Sequence, residues 1–63
     1  MDLLRELVGR KVTVFSLQGE AERQDVGTLE AADQGWFRLR KAENELMYFS
    51  VYQVRLIKPF DAH

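Results

Sequence analysis

The stretch from Gly9 to Pro59, GRKVTVFSLQGEAERQDVGTLEAADQGWFRLRKAENELMYFSVYQVRLIKP, decides the fold. It holds a series of short runs rich in β-branched, aromatic and aliphatic residues, separated by turn-forming residues. The predicted strands cover residues 10–17, 26–31, 35–41, 45–49 and 54–58. Strands this short must bend around a common centre to bury their apolar side chains, and closure also removes most unpaired edges. The pattern therefore predicts an all-β, five-stranded small barrel.

Alternation along the strands predicts which side chains form the core. The predicted inward residues are Val12, Val14, Leu29, Leu39, Tyr48 and Val54. Gly27, inside the second predicted strand, indicates a bulge or a sharp bend. The polar residues 18–24 predict a loop. Residues 50–53 leave room for only a single turn, for which 3₁₀ geometry is one option.

An apolar stripe precedes the first predicted strand. Its members are Leu3, Leu4, Leu7 and Val8. Their spacing is that of one face of a short helix, and Asp2 is placed to cap its first turn. We therefore predict a short N-terminal α-helix over about residues 2–8. It must dock on the barrel, because so short a helix is not stable alone in water.

Length and composition restrict the class of protein. The 63 residues suffice for one domain, predicted to span residues 1–63 with the barrel over about 10–58 and a loose tail at 60–63. The chain has no cysteine, which excludes disulfides and thiolate zinc sites and suits a reducing compartment. The cytoplasm is the expected location. No apolar run approaches the ~20 residues of a membrane span, so no membrane partner is expected.

The titratable side chains do not form a recognisable reaction centre. The only histidine is the terminal His63, so Ser16 and Ser50 have no histidine partner in a predicted ordered segment. The acidic residues are scattered rather than spaced as a metal-binding loop, and there is no glycine-rich phosphate loop. We therefore expect no enzymatic activity, no catalytic residue, no metal and no cofactor.

Several segments together resemble the Sm-like family of small β-barrels, which includes Sm, Lsm and bacterial Hfq proteins. They are the leucine-rich N-terminal turn, residues 9–14 (GRKVTV) and residues 27–33 (GTLEAAD), followed by an aliphatic third strand and short fourth and fifth strands. The glycine, leucine and aspartate of residues 27–33 are also similar to the Sm-type C-terminal domain of the ribosome maturation factor RimP. The resemblance implies an SH3-like or Sm-like barrel with a short N-terminal helix, ring-like homo-oligomers and an association with RNA.

The chain departs from this family at the residues that bind uridine. Phe37 stands where the family usually has an asparagine. Tyr48-Phe49-Ser50 stands where the family has Arg-Gly, or Tyr-Lys-His in Hfq. The resemblance therefore implies the fold and the assembly, but not the usual uridine pocket.

Two groups of residues are candidate binding surfaces. Trp36, Arg38 and Arg40 share one face of the third predicted strand, where an aromatic ring beside two guanidinium groups could stack a base and contact phosphates. The alternative is a solvated face whose arginines pair with Glu30 or Glu45. Arg10 and Lys11 are a second basic candidate, or are simply solvated.

An excess of large apolar residues is the candidate subunit interface. These residues are Phe15, Met47, Phe49 and Tyr52. They form either a surface where the fourth strand of one subunit meets the fifth strand of the next, or a region covered by the chain itself. The sequence therefore supports two hypotheses. The first is a non-catalytic RNA-binding or RNA-associated module that forms a homo-oligomer. The second is a protein-interaction or structural barrel with no nucleic-acid role. The net charge of −1 is not that of a protein that coats nucleic acid non-specifically.

Overall fold

The chain forms one antiparallel sheet of five strands, and the computed structural model describes residues 3–60. The strands are β1 (Lys11–Gln18), β2 (Ala21–Ala32), β3 (Trp36–Arg40), β4 (Leu46–Ser50) and β5 (Val54–Pro59). Within these residues, 3₁₀ helices cover Leu3–Leu7, Ala42–Asn44 and Val51–Gln53. The predicted all-β class and the turn between the last two strands are confirmed. No helix in the described part of the chain is long and apolar enough to cross a membrane.

The strand order in the sheet is β4-β3-β2-β1-β5. Strands β1 to β4 are joined in sequence by antiparallel hairpins, and β5 returns to pair with β1. Strands β4 and β5 are therefore the two edges of the sheet over residues 3–60. Pro59 ends β5, at an edge where the missing N–H of proline costs least.

Strand β2 begins earlier than the sequence predicts, because the first hairpin turns over only Gly19 and Glu20. Gln18 pairs with Ala21, and Gly19 has a φ of 64°, which glycine adopts without strain. The predicted loop over residues 18–24 is therefore wrong. The run is polar because the side chains at this end of β2 are exposed, not because the backbone is irregular.

Gly27 lies where the backbone of β2 closely approaches the end of β3. A Cβ atom built on Gly27 would stand 2.5 Å from the carbonyl oxygen of Arg40, so a larger residue cannot fit without a backbone shift. The break in strand pairing falls between Leu29 and Ala31, which makes Glu30 the extra residue of a bulge. The predicted irregularity is thus present in β2, but three residues beyond the glycine.

The core lies on the inner face of the curved sheet. Its buried apolar residues are Val12, Val14, Leu29, Phe37, Leu39 and Phe49. The rings of Phe37 and Phe49 stack with their centroids 5.1 Å apart and their planes 10° apart. Half-buried Met47 from β4 and Val54 and Ile57 from β5 pack on the same cluster, so both edge strands contribute to one core.

Five of the six predicted core positions are confirmed, with Val54 only half-buried. Tyr48 is wrong, because 61% of its surface is exposed. Residues 46–49 are all apolar, so no alternation of apolar and polar residues indicates which of them point inward. The structure turns Met47 and Phe49 inward and leaves Leu46 and Tyr48 outward.

The N-terminal segment is a 3₁₀ helix and not the predicted α-helix. The 3₁₀ repeat of three residues places Leu4 and Leu7 on one side, and both pack against the core. Leu3 and Val8, which an α-helical stripe would also bury, stay exposed. The predicted cap, Asp2, lies outside the described residues.

The last described residue, Phe60, is held to the first strand. Its N–H donates to the carbonyl oxygen of Lys11 over 2.8 Å, and the Lys11 ammonium lies 4.8 Å from the centre of its ring. Phe60 therefore does not belong to a loose tail. The rest of that predicted tail, residues 61–63, lies outside the described residues.

Candidate nucleic-acid interface

Strand β3 separates an apolar inner face from an aromatic and basic outer face. Phe37 and Leu39 are buried in the core, while Trp36, Arg38 and Arg40 point outward. Trp36 is 55% exposed, which leaves much of its indole ring accessible. The structure therefore places the three predicted residues of this strand on one accessible face, as strand alternation requires.

Tyr48 completes a cleft on this outer face. It lies directly opposite Arg38 in the pairing of β3 with β4. Trp36, Arg38, Tyr48 and Asp33 line an open cleft of about 190 Å³, together with Ala31, Ala32 and Phe37. The cleft thus combines two exposed aromatic rings with a guanidinium group and a carboxylate.

Glu30 links the two arginines of β3. The Arg38 Nε donates to Glu30 Oε1 over 3.2 Å, and the Arg40 Nη2 donates to the same oxygen over 3.3 Å. The Arg40 Nε also donates to Glu30 Oε2, so Arg40 holds the carboxylate through both oxygens. The bulge at Glu30 accounts for this position, because an extra residue in one strand re-aims the side chain.

These contacts shift the pKa values of Glu30 and Arg38. The hydrogen bond from Arg40 lowers the pKa of Glu30 below its ordinary value, and the positive charges of Arg40 and Arg38 act in the same direction. The hydrogen bond with Tyr48 raises the pKa of Arg38, and the charge of Glu30 adds to the effect. Both shifts favour the charged forms of Glu30 and Arg38.

The charge of this surface is small. Arg38 and Arg40 contribute two positive charges, Glu30 removes one, and Asp33 at the cleft removes the other. Phosphate attraction at this face is therefore limited, and the aromatic rings provide its distinctive chemistry. The predicted alternative, in which the arginines pair with Glu30, is confirmed by these hydrogen bonds. The pairing leaves Trp36 accessible.

The second basic candidate lies beside the first on the sheet. Lys11 pairs with Thr28, and Thr28 pairs with Arg40, so the three form one row across β1, β2 and β3. Because neighbouring strands lie about 4.8 Å apart, the Cα atoms of Lys11 and Arg40 are separated by roughly 10 Å. Arg10 immediately precedes the strand and is exposed.

The four predicted interface residues do not form one surface. Phe49 is buried against Phe37, and Met47 packs on the core. Phe15 is half-buried on the outer face of β1, and Tyr52 is 90% exposed in the turn before β5. Only Phe15 and Tyr52 among the four extend away from the core.

The sequence interpretation missed Tyr48 and Asp33 as parts of the cleft. Tyr48 was assigned to the core on an apolar pattern without contrast. Its hydroxyl group needs a hydrogen-bond partner when buried, and this property favours the solvent-exposed face for Tyr48. Asp33 enters the sequence analysis only through the family resemblance, because its place beside Trp36 depends on the bend between β2 and β3.

A second ionic group lies on the inner side of β2. Asp25 is 2% exposed, and its Oδ1 accepts hydrogen bonds from Lys41 Nζ over 2.8 Å and from Arg23 Nη2 over 3.3 Å. Its Oδ2 is buried without a hydrogen-bond partner among residues 3–60. Asp25 is therefore a buried charge held by two cations, at the margin of the core.

Among residues 3–60, no three side chains of the metal-binding types come together as a cation site. No protein-family model, no curated protein and no solved structure matches the chain.

Proposed function

We propose that the chain is a non-catalytic, RNA-associated small barrel of the Sm-like type that acts in the cytoplasm as a homo-oligomer. The observation that carries the proposal is the outer cleft, in which Trp36 and Tyr48 flank Arg38 with their rings exposed. Base stacking on exposed aromatic residues contributes about 1–3 kcal/mol per base and tolerates any base. This chemistry suits single-stranded RNA better than a duplex, whose bases are already stacked.

Barrel-like curvature is the part of this proposal that concerns the fold. Buried Ser16 of β1 and Phe49 of β4 line the same cavity, of about 130 Å³, although two strands separate β1 from β4 in the sheet. The sheet therefore curves enough to bring distant strands together. This supports a strongly curved, barrel-like sheet whose edge strands β4 and β5 do not pair with each other within residues 3–60, in line with the Sm-like resemblance.

The oligomer is proposed to form through the two edge strands. Strands β4 and β5 each have one neighbour among the described residues, which leaves backbone groups available to a second copy. Tyr52, between these strands, is 90% exposed. Several copies would repeat the weak cleft around a ring, and linked weak sites bind one strand far more tightly than a single site.

The cleft is tested by fluorescence anisotropy with labelled single-stranded oligouridylate and oligoadenylate over a range of salt concentrations. The double variant Arg38→Gln/Arg40→Gln is expected to bind more weakly. If each arginine contacts one phosphate, the salt slope falls by about 1.4, because each lost contact removes about 0.7 for a single strand. Trp36→Ala should weaken binding without changing the slope. Arg55→Gln is the matched control, since Arg55 pairs with Glu22 away from the cleft.

Two outcomes contradict the proposal. Absence of RNA binding by the parent at low salt would remove the RNA role. Unchanged binding in the double variant would show that RNA does not bind in the cleft. Arg10 and Lys11 would then be the candidate RNA site. Native mass measurement tests assembly separately, and a 7.4 kDa monomer at micromolar concentration would contradict the oligomer.

A further inference from the structure

The outer face of β2, β1 and β5 is a second surface, and it carries several exposed apolar side chains. Strand register places Phe15 of β1 between Gln24 of β2 and Leu56 of β5. Val26 and Leu17 lie on the same outer side. Leu17, Val26 and Leu56 are 45%, 39% and 49% exposed. We call this surface the β1–β5 face.

A groove runs across the β1–β5 face. It has a volume of about 380 Å³ and is lined by Thr13, Phe15, Gln24, Lys58, Pro59 and Phe60. The N-terminal 3₁₀ helix does not cover it, because that helix packs on the core through Leu4 and Leu7. The groove is therefore open in the described part of the chain, and half-buried Phe15 forms part of its wall.

Two lysines lie at this groove: Lys58 is part of its lining, and Lys11 lies over the ring of Phe60. Lys58 and Lys11 are exposed and have no ion-pair partner among residues 3–60. Arg55 is neutralised by Glu22, which its Nη1 contacts over 2.7 Å. Counting the lysines, Arg55 and Glu22 gives this face a net charge of +2, on a chain whose net charge is −1.

This charge selects among possible occupants. A second copy docking face to face would bring together two surfaces of net positive charge, and juxtaposed like charges oppose association. Base stacking on Phe60 is opposed, because the ammonium of Lys11 already lies over its ring. An acidic protein segment with apolar side chains satisfies both the groove and the two lysines.

We propose that the β1–β5 face docks an acidic, apolar peptide segment of another protein. An apolar side chain of that segment enters the groove beside Phe15, and carboxylates on either side of it pair with Lys58 and Lys11. The surface is separate from the cleft of Trp36 and Tyr48, so one subunit can hold RNA and a protein partner at once.

The test uses the full chain, labelled with ¹⁵N, and a twelve-residue probe peptide that alternates glutamate with leucine and phenylalanine. Amide shifts should be confined to β1, β5 and the facing part of β2. Lys58→Glu should weaken binding at least tenfold, and Leu56→Ser should weaken it by a similar factor. Tyr52→Ser is the matched control, because it removes an exposed large side chain outside the groove.

Each alternative has its own result. Equal binding of a peptide with lysine in place of glutamate would overturn the charge complementarity. No amide shift at millimolar peptide would overturn the docking surface. Shifts of the same amides by oligouridylate would assign the face to RNA instead. Concentration-dependent self-association that Leu56→Ser abolishes would assign it to a second copy.

Discussion

Lys41 donates a hydrogen bond from Nζ to Oδ1 of Asp25 over 2.8 Å, and so ties the end of β3 to the inner side of β2. The two side chains are 24% and 1% exposed. A carboxylate this deeply buried depends on its cations, because an uncompensated buried charge is strongly destabilising.

Replacing Lys41 by methionine should therefore destabilise the fold. Hydrogen bonds to charged groups contribute about 1.5–3 kcal/mol, and the loss should fall in this range because Arg23 remains. Urea unfolding followed by tryptophan fluorescence measures it. The control is Arg55→Met, which breaks an exposed pair worth at most about 1 kcal/mol. Equal losses in the two variants would show that burial of Asp25 has no energetic consequence.

Two adjacent residues of β4 should lose very different amounts of stability on truncation. Phe49→Ala removes a buried ring stacked on Phe37 and should cost about 3–5 kcal/mol, which is enough to unfold a domain of this size. Tyr48→Ala removes an exposed cross-strand partner of Arg38 and should cost about 0.2–1 kcal/mol.

Circular dichroism thermal melts measure both variants. Phe49→Leu supplies a milder loss in the same direction if the alanine variant does not fold. A larger effect of Tyr48→Ala than of Phe49→Ala would mean that β4 presents its other face to the core.

Gly27, where β2 lies close to the end of β3, should not tolerate a methyl group. Gly27→Ala places a Cβ against a backbone oxygen of Arg40, which cannot rotate away, and should cost about 1–3 kcal/mol. Gly35→Ala is the matched control, because no atom lies within 4 Å of its added Cβ. That change should be neutral or stabilise by up to about 1 kcal/mol through the unfolded state. The denaturant midpoints of the two variants measure these changes in stability. Similar midpoints would contradict the close approach of Gly27 to the backbone of Arg40.

The ion pairs of Glu30 should make stability depend on acid pH. Because the folded-state pKa of Glu30 lies below its ordinary value of 4.5, the stabilisation is fully present above the ordinary value. It is lost as the pH falls through the folded-state pKa. Glu30→Gln should therefore be less stable than the parent at pH 7, and the difference should shrink at pH 3.

Urea unfolding at the two pH values measures this difference. Asp33→Asn is a control carboxylate at the cleft. A gap between parent and Glu30→Gln that is the same at both pH values would show that the arginines do not stabilise the charged form.

Strand positions were predictable from the sequence where one face is apolar and the other is polar. The alternation of β3 separates Phe37 and Leu39 from the arginines. The alternation failed in β4, where Tyr48 and Phe49 are both apolar enough to be core. It also failed at residues 18–24, because a polar strand and a polar loop have the same composition.

The candidate cleft was predictable only in part. Trp36 and Arg38 are two residues apart on one strand, so strand alternation alone predicts that they share a face. Asp33 and Tyr48 join them only through pairing of β3 with its neighbours and the turn after β2. The contact of Glu30 with both arginines depends further on a bulge, which the sequence predicts in β2 but at Gly27, three residues before its actual position.

The return of β5 to β1 has a consequence for the order of folding. The other strand pairings join neighbours in sequence, whereas Val12 pairs with Pro59 across most of the chain. Closing a long loop costs entropy before its contacts stabilise anything, so the hairpins of β1 to β4 can form early and β5 is the natural last strand to join. Changes in β5, such as Ile57→Val, should then accelerate unfolding while leaving the refolding rate nearly unchanged.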